Sequence, residues 1–265
     1  ERDAAIRTGH DEACSATQGG PIIIAQIENE FSWNDPEYIE WCGQLVDKID
    51  AGIPWVMCNG QSASNTINTC NGNDCADYAE QHGTKYPGQP LGWTENEGWY
   101  QTWTSRSNTD HDNRPASEMA YVVMKWIARG GSYHNYYMWY GGNNFGRKAA
   151  GSCITTMYAD GVNLHSDGLP NEPKKSHLKS LHQLLGLMNP LLMLCKIQEK
   201  QYIEVYDPET KTFVTSKNQY VFPYETVSMY GSLYFIENND KDYALVRYKK
   251  FNREYSLAVM SSIML

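Results

Sequence analysis

Short β-branched or aromatic runs alternate along the chain with segments whose apolar residues recur at helical spacing. The first run, PIIIAQI, predicts a strand buried on both faces, and it leads straight into Glu28, Asn29 and Glu30. After the turn and helix-start signal NDPEY, Ile39, Cys42, Leu45, Val46 and Ile49 make one helical stripe that Gly52 stops. IPWVMCNG and NTINTCNG follow, then a polar helix at CADYAEQH and a further apolar run, QPLGWTE. A long loop precedes PASEMAYVVMKWIARGG, where Met119, Val122, Val123, Trp126 and Ile127 form the buried stripe and Gly130 and Gly131 mark the end. The aromatic strand SYHNYYMWYGG comes next. The helix EPKKSHLKSLHQLLGLM closes the series, with Leu178, Leu181, Leu184, Leu185 and Met188 on one face.

Strand then helix, repeated with short connections, predicts parallel βα units. No Gly-x-Gly-x-x-Gly follows a strand, so a dinucleotide-binding fold lacks its main signature. The chemistry sits instead where the runs end: Asn29 and Glu30 after the first, Cys58 and Asn59 after the second, Glu95 after QPLGWT, Tyr137 and Trp139 on the aromatic strand. A (β/α)8 barrel keeps its active site at that edge. Two carboxyls from different strands facing across a sugar pocket are the minimum equipment for glycoside hydrolysis. Glu28 precedes Glu30 by two positions, so strand alternation predicts that both point to one side, with Glu28 satisfying backbone donors or a barrel Arg rather than reacting.

Composition narrows the reading. With 265 residues, 41% of them apolar, there is material for one large core and a small second one. Lys and Arg number 22 against 31 Asp and Glu, a formal charge of −9 without a basic cluster, which argues against a nucleic-acid partner. The greasiest stretch, LLGLMNPLLML, is shorter than a membrane span and is interrupted by Asn189 and Pro190. Of seven cysteines, Cys70 and Cys75 flank a Gly turn and suit a local disulfide, with zinc as the weaker competing idea because no second ligand pair stands at metal spacing. The acidic run ENNDKD has the Asn and Asp of a turn between strands.

GGPIIIAQIENEF resembles the signature of glycoside hydrolase family 35, the acid-type β-galactosidases, and IPWVMCNG, INTCNG, WTENEGW, NYYMWYGGNNFGR, TTMYADGVNLHSDGL and KKSHLKSLHQL follow in the family's order. The plant-type branch is the nearest in character. The resemblance implies a TIM barrel of the (β/α)8 kind and a retaining hydrolase that removes terminal β-galactose, with no cofactor and no metal. It implies Glu30 as acid/base, Glu95 as nucleophile with Glu97 as the alternative, and Asn29 as a partner of the sugar 2-hydroxyl. Tyr137 and Tyr158 match tyrosines lining the galactose pocket, Trp99 an aromatic platform, and Glu28 a supporting position. Trp33, Trp93, Trp103 and Tyr140 stay open between packing and sugar contact. Asp160 stands where the family has a second Tyr, and Asn143 where Thr is usual.

A (β/α)8 domain takes about 250 residues, yet the strand that matches the family's fourth begins near the front of this chain. The expectation is that residues 1–195 hold strands four to eight and that 196–265 are a linker and the start of an accessory β-sheet domain. The first three strands would come from another part of the same polypeptide, a partner alongside the β-galactoside substrate. The front of the chain lacks an apolar signal region, and the resemblance implies a secretory, extracellular or lysosome- or vacuole-like setting. A noncatalytic carbohydrate-binding or assembly protein on the same fold is the rival reading.

Overall fold

The computed structural model describes residues 15–100, 112–143, 145, 161–226, 231–258 and 261–264, with the side chains of 99, 100, 112, 113 and 261–264 left aside. Tyr158, Asp160 and Trp103 lie outside the described residues. Two compact units divide the chain, one taking in described residues up to Asn96 together with Gly131–Tyr137, the other Glu97–Gly130 and the described residues from Met138 onward.

In the first unit, β1 (Ala25–Asn29), β2 (Trp55–Cys58), β3 (Ile67–Gly72) and β4 (Leu91–Glu97) lie side by side in parallel, as the βα pattern predicts. Helix α1 (Pro36–Ile49) connects β1 to β2, and α2 (Ala76–Lys85) connects β3 to β4. Asp35 caps α1, its carboxylate accepting from the Tyr38 amide at 3.0 Å, and Pro36 at the first position sets the helical φ. The helix ends at Asp50, φ 47°, before the expected stop at Gly52. Ile39 and Cys42 on its inner face pack with Met57 and Ala63, backed by Ile27, Phe31 and Tyr38. Each such fully buried aliphatic side chain contributes about 1.5–3 kcal/mol. Gly43 lets α1 approach the following loop: a Cβ there would lie 2.9 Å from both the Ala63 Cβ and the Asn65 Oδ1.

The opening run departs from expectation. Ile22 and Ile23 are 41% and 70% exposed, and regular pairing begins only at Ala25. The reason is position: among the described residues β1 is the edge of its sheet, so only β2 covers one flank.

In the second unit, β5 (Trp99–Tyr100) pairs with β6 (Asp112–Asn113), and α3 (Ala116–Ala128) follows. Strand β7 (Gly131–Tyr137) then returns to the first unit beside β4, completing a five-stranded sheet in the order β1-β2-β3-β4-β7. In the second unit again, α4 (Lys174–Leu194) buries Leu178, Leu181 and Met188, whereas Leu184, on the predicted inner face, is 40% exposed. Pro190 does not end this helix, since proline removes one N–H bond and only one further turn follows.

An antiparallel sheet completes the unit. It comprises β8 (Lys196–Ile197), β9 (Gln201–Asp207), β10 (Thr212–Glu225), β11 (Leu233–Asn238), β12 (Ala244–Tyr248), β13 (Arg253–Leu257) and β14 (Ser261–Met264). Its order is β13-β12-β9-β10-β11-β14, with β8 also on β10. Ile203, Val221, Tyr234, Ile236, Val246 and Leu257 form its core. ENNDKD starts inside β11, so the turn takes only its later residues, and Glu237 is buried.

Candidate active site

The strand ends of the first unit gather the polar side chains. Register pairs Asn29 with Cys58, Cys58 with Thr69, and Asn71 with Glu95. Two irregularities adjust the order: on β1 the register passes from Gln26 to Glu28, skipping Ile27, and on β4 from Trp93 to Glu95, skipping Thr94. A bulge of this kind re-aims the side chains around it.

Glu28 and Glu30 part, contrary to simple alternation, because the strand ends at Asn29 and Glu30 turns out of extended backbone. Glu28 turns toward α1, its Oε2 accepting from the Tyr38 hydroxyl and its Oε1 from the Asn29 amide at 2.7 Å. That hydrogen bond, with burial adding to it, pushes the Tyr38 phenol well above its ordinary pKa. Glu30 follows the last residue of β1 at φ 59°, in the left-handed region that costs a non-glycine residue about 1 kcal/mol or more. Its amide donates to the Cys58 carbonyl at 3.1 Å, and its Oε1 accepts from Asn71 Nδ2 at 2.9 Å. Glu28 thus ties the strand end to the helix while Glu30 faces the amide cluster.

The cluster is dense. Asn29 Oδ1 accepts from Cys58 Sγ at 2.6 Å, from Gln26 Nε2 at 3.0 Å and from Asn71 Nδ2 at 3.3 Å. With its oxygen so occupied, the amino group is what the exposed Asn29 side chain has to offer a ligand hydroxyl. The Cys58 thiol is pushed up to about 11, first by burial and then by the nearby Glu95 and Glu30 carboxylates, which disfavour a thiolate. Cys58 thus senses both candidate carboxylates at once. Glu95 itself sits within β4, which runs on to Glu97, so it does not end its strand as the sequence suggested.

Trp93 is fully buried, and its indole N–H donates to the Glu95 carbonyl at 2.9 Å and the Gly72 carbonyl at 3.1 Å. It anchors the backbone under Glu95 and is a packing residue. Tyr137 is half-buried at the end of β7. The Trp99 backbone pairs with Asn113 in the second unit, its side chain being among those left aside. The Glu97 carbonyl accepts from the Arg114 guanidinium. Trp33 is 76% exposed, and the Tyr140 hydroxyl donates to the Ser166 carbonyl at 2.9 Å. Cys70 and Cys75 form the local disulfide. Asn71 is the residue that sequence reasoning passed over. The signal was present, because NTCNG ends an apolar run with an amide as VMCNG does.

The thiol gives a direct test. A group with its folded pKa raised to about 11 stays neutral through neutral pH, while an unfolded cysteine ionises near 8.5. Native Cys58 is expected to resist iodoacetamide at pH 7.5 and to react only as the pH nears 11 or the chain unfolds. The same difference makes Cys58 favour the folded state below about 8.5, an advantage that fades as pH rises toward the folded value. Mass spectrometry after timed alkylation reads the site; rapid labelling of the folded protein at pH 7.5 would contradict the picture.

Carboxylates toward the C-terminal ends of parallel strands, with the buried amide of Asn71 beside them, suit the chemistry of a βα-fold glycosidase. The comparisons agree. The model of "Glycosyl hydrolases family 35" matches residues 9–185. The chain is 36% identical over 228 residues to "Probable beta-galactosidase 2" of Dictyostelium discoideum, covering 82% of this chain and 28% of that protein. It is 40% identical over 191 residues to "Beta-galactosidase 10" of Arabidopsis thaliana, covering 69% of this chain and 25% of the relative, and 36% identical over 264 residues to "Beta-galactosidase 11" of the same plant, covering 95% and 28%. The chain spans about a quarter of the length of these curated relatives. Among solved structures, it is similar to cyclic α-maltosyl-(1→6)-maltose hydrolase from Arthrobacter globiformis in the ligand-free form, with TM-score 0.50 and 10% identity over 99% of this chain and 58% of that one, a likeness of fold alone. The chain belongs to glycosyl hydrolase family 35.

Proposed function

We propose that this chain is the carboxylate-bearing part of a retaining β-galactosidase that removes terminal, non-reducing β-D-galactose from oligosaccharides or glycans. The observation that carries the proposal is Asn71, whose amide donates to Glu30 Oε1 at 2.9 Å and which the sheet register pairs with Glu95. Family membership and relatives named β-galactosidase support the choice of sugar.

In this reading Glu30 is the acid/base. Its Oε1 is engaged by Asn71, which leaves Oε2 to carry the proton to the glycosidic oxygen as the C–O bond breaks. Glu95 attacks the anomeric carbon as the aglycone leaves, giving a galactosyl ester. Glu30, now ionised, takes a proton from water, whose oxygen displaces Glu95 with net retention. Asn29 holds the sugar 2-hydroxyl through its amino group, a bond that strengthens as the oxocarbenium-like state forms. By the family resemblance Tyr137, Tyr158 and Trp99 are assigned to sugar binding, and Glu28 keeps the end of β1 in place through Tyr38. Glu95 is preferred to Glu97 because the register pairs Glu95 with Asn71, the residue whose amide donates to Glu30.

The five strands stand, in the same proposal, as the fourth to eighth of a (β/α)8 barrel closed by three more from the same polypeptide. Residues 1–195 belong to that barrel and 196–265 to a linker and the first part of an accessory sheet. A secretory or vacuolar setting accords with the resemblance; no described helix is long and apolar enough to cross a membrane.

A 2-deoxy-2-fluoro-β-galactosyl fluoride tests the assignment, since fluorine slows both steps and the fluoride leaving group spares the first, so the ester accumulates. Peptide fragmentation is expected to find one fluorogalactosyl group, on Glu95. An adduct on Glu97, or none despite turnover of β-galactosides, would overturn it.

A further inference from the structure

We infer that Asn71 is a positioning residue for Glu30, the last link of a directed hydrogen-bond chain, Thr69 to Thr94 to Asn71 to Glu30, that fixes which oxygen of the acid/base carboxyl faces the substrate. The inference rests on the reading of Glu30 as acid/base. Asn71 is 7% exposed, and its Oδ1 accepts from Thr94 Oγ1 at 2.8 Å, which sets the amide's orientation. Thr94 in turn lies 2.9 Å from the Thr69 hydroxyl. The Thr94 hydroxyl has a single proton, and its shortest acceptor is Asn71; Thr69 then supplies the donor to Thr94.

With Oδ1 so held, Nδ2 must point its hydrogens at Glu30 Oε1, 2.9 Å away, and toward Cys58 Sγ and Asn29 Oδ1 at 3.1 and 3.3 Å. Thr94 is the residue β4 bulges out, next to Glu95. A single amide therefore ties the candidate acid/base to the backbone that carries the candidate nucleophile. The strained φ of Glu30 fits this: an unfavourable backbone angle persists where its surroundings over-determine it, and such residues cluster at active sites.

The test compares leaving groups on the intact polypeptide. General acid catalysis matters for a poor leaving group such as an alkyl or sugar aglycone and hardly at all for 2,4-dinitrophenolate. Asn71→Ala is expected to lower kcat/KM for methyl β-galactoside by about tenfold to a hundredfold, a fraction of the 10²–10⁴ that a positioned acid supplies. The 2,4-dinitrophenyl β-galactoside should fall less than about threefold, and azide, which needs no general base, should raise its kcat. Asn71→Asp keeps the shape and removes the donor; it carries the comparison if the alanine variant does not fold, and should give the same split. Equal losses on both substrates in a folded variant overturn the inference. Glu30→Gln run alongside separates the levels: if it too lacks the split, the acid/base reading has failed, whereas if it alone shows the split, only the role of Asn71 has.

Discussion

Replacing Glu95 with Gln is expected to lower kcat/KM for β-galactosides by roughly 10⁴-fold, the scale on which removing one member of a covalent-catalysis set acts. An amide oxygen is a poor nucleophile, so the galactosyl ester does not form whatever the leaving group. The loss should be alike for dinitrophenyl and alkyl galactosides. Glu30→Gln behaves differently: it keeps an oxygen for the Asn71 amide but has no proton to give, so it loses about 10²–10⁴ on alkyl galactosides and spares the activated one. Glu30 is exposed, and Gln differs from Glu by one atom's chemistry, so both variants should fold. A chromogenic assay with the two substrate types decides. Retention of a tenth or more of parent activity by Glu95→Gln removes the nucleophile assignment.

The βα organisation was legible because α1, α3 and the strand runs carry their periodicity openly: Ile39, Cys42, Val46 and Ile49 are all buried, as are Met119, Val122, Val123 and Trp126. Glu30 and Glu95 stood out as candidates from ordered motifs, and Glu30 also from its place just after β1. What escaped depends on register. The left-handed turn at Glu30 sends Glu28 and Glu30 to different partners, skipping Thr94 puts Asn71 opposite Glu95, and a slip of one residue exchanges the faces of a strand. No composition or spacing rule places a bulge. Glu237 failed for a related reason. Its neighbours Asn238 to Asp242 read as a solvated turn, yet β11 extends two residues into the run, and whether a charge at a strand end is buried depends on what a distant helix presents to it.

What that helix presents is Arg129, and the pair makes the largest stability prediction. Arg129 Nη1 lies 2.8 Å from Glu237 Oε2 and Nη2 3.3 Å from Oε1, a two-pronged contact whose side chains are 7% and 1% exposed. The Tyr121 hydroxyl, whose shortest acceptor is Asn239 Oδ1 at 2.9 Å, lies 3.3 Å from Glu237 Oε1, and the guanidinium lies 4.6 Å over the Phe222 ring while donating to the Lys125 carbonyl. Removing Glu237 takes away the carboxylate that meets the buried guanidinium in this two-pronged contact. Glu237→Ala is expected to destabilise by about 3–5 kcal/mol, which for a unit of this size lowers Tm by roughly 6–20 °C. Arg129→Ala should cost similarly. Because taking two charges from water is itself expensive, the double variant Arg129→Met with Glu237→Leu should recover most of that loss. Thermal unfolding of the three variants reads the result. A Glu237→Ala protein within about 2 °C of the parent would mean that water reaches the pair in solution, and the antiparallel sheet would then be held to α3 by its apolar contacts and by the Tyr121 and Tyr224 hydroxyls.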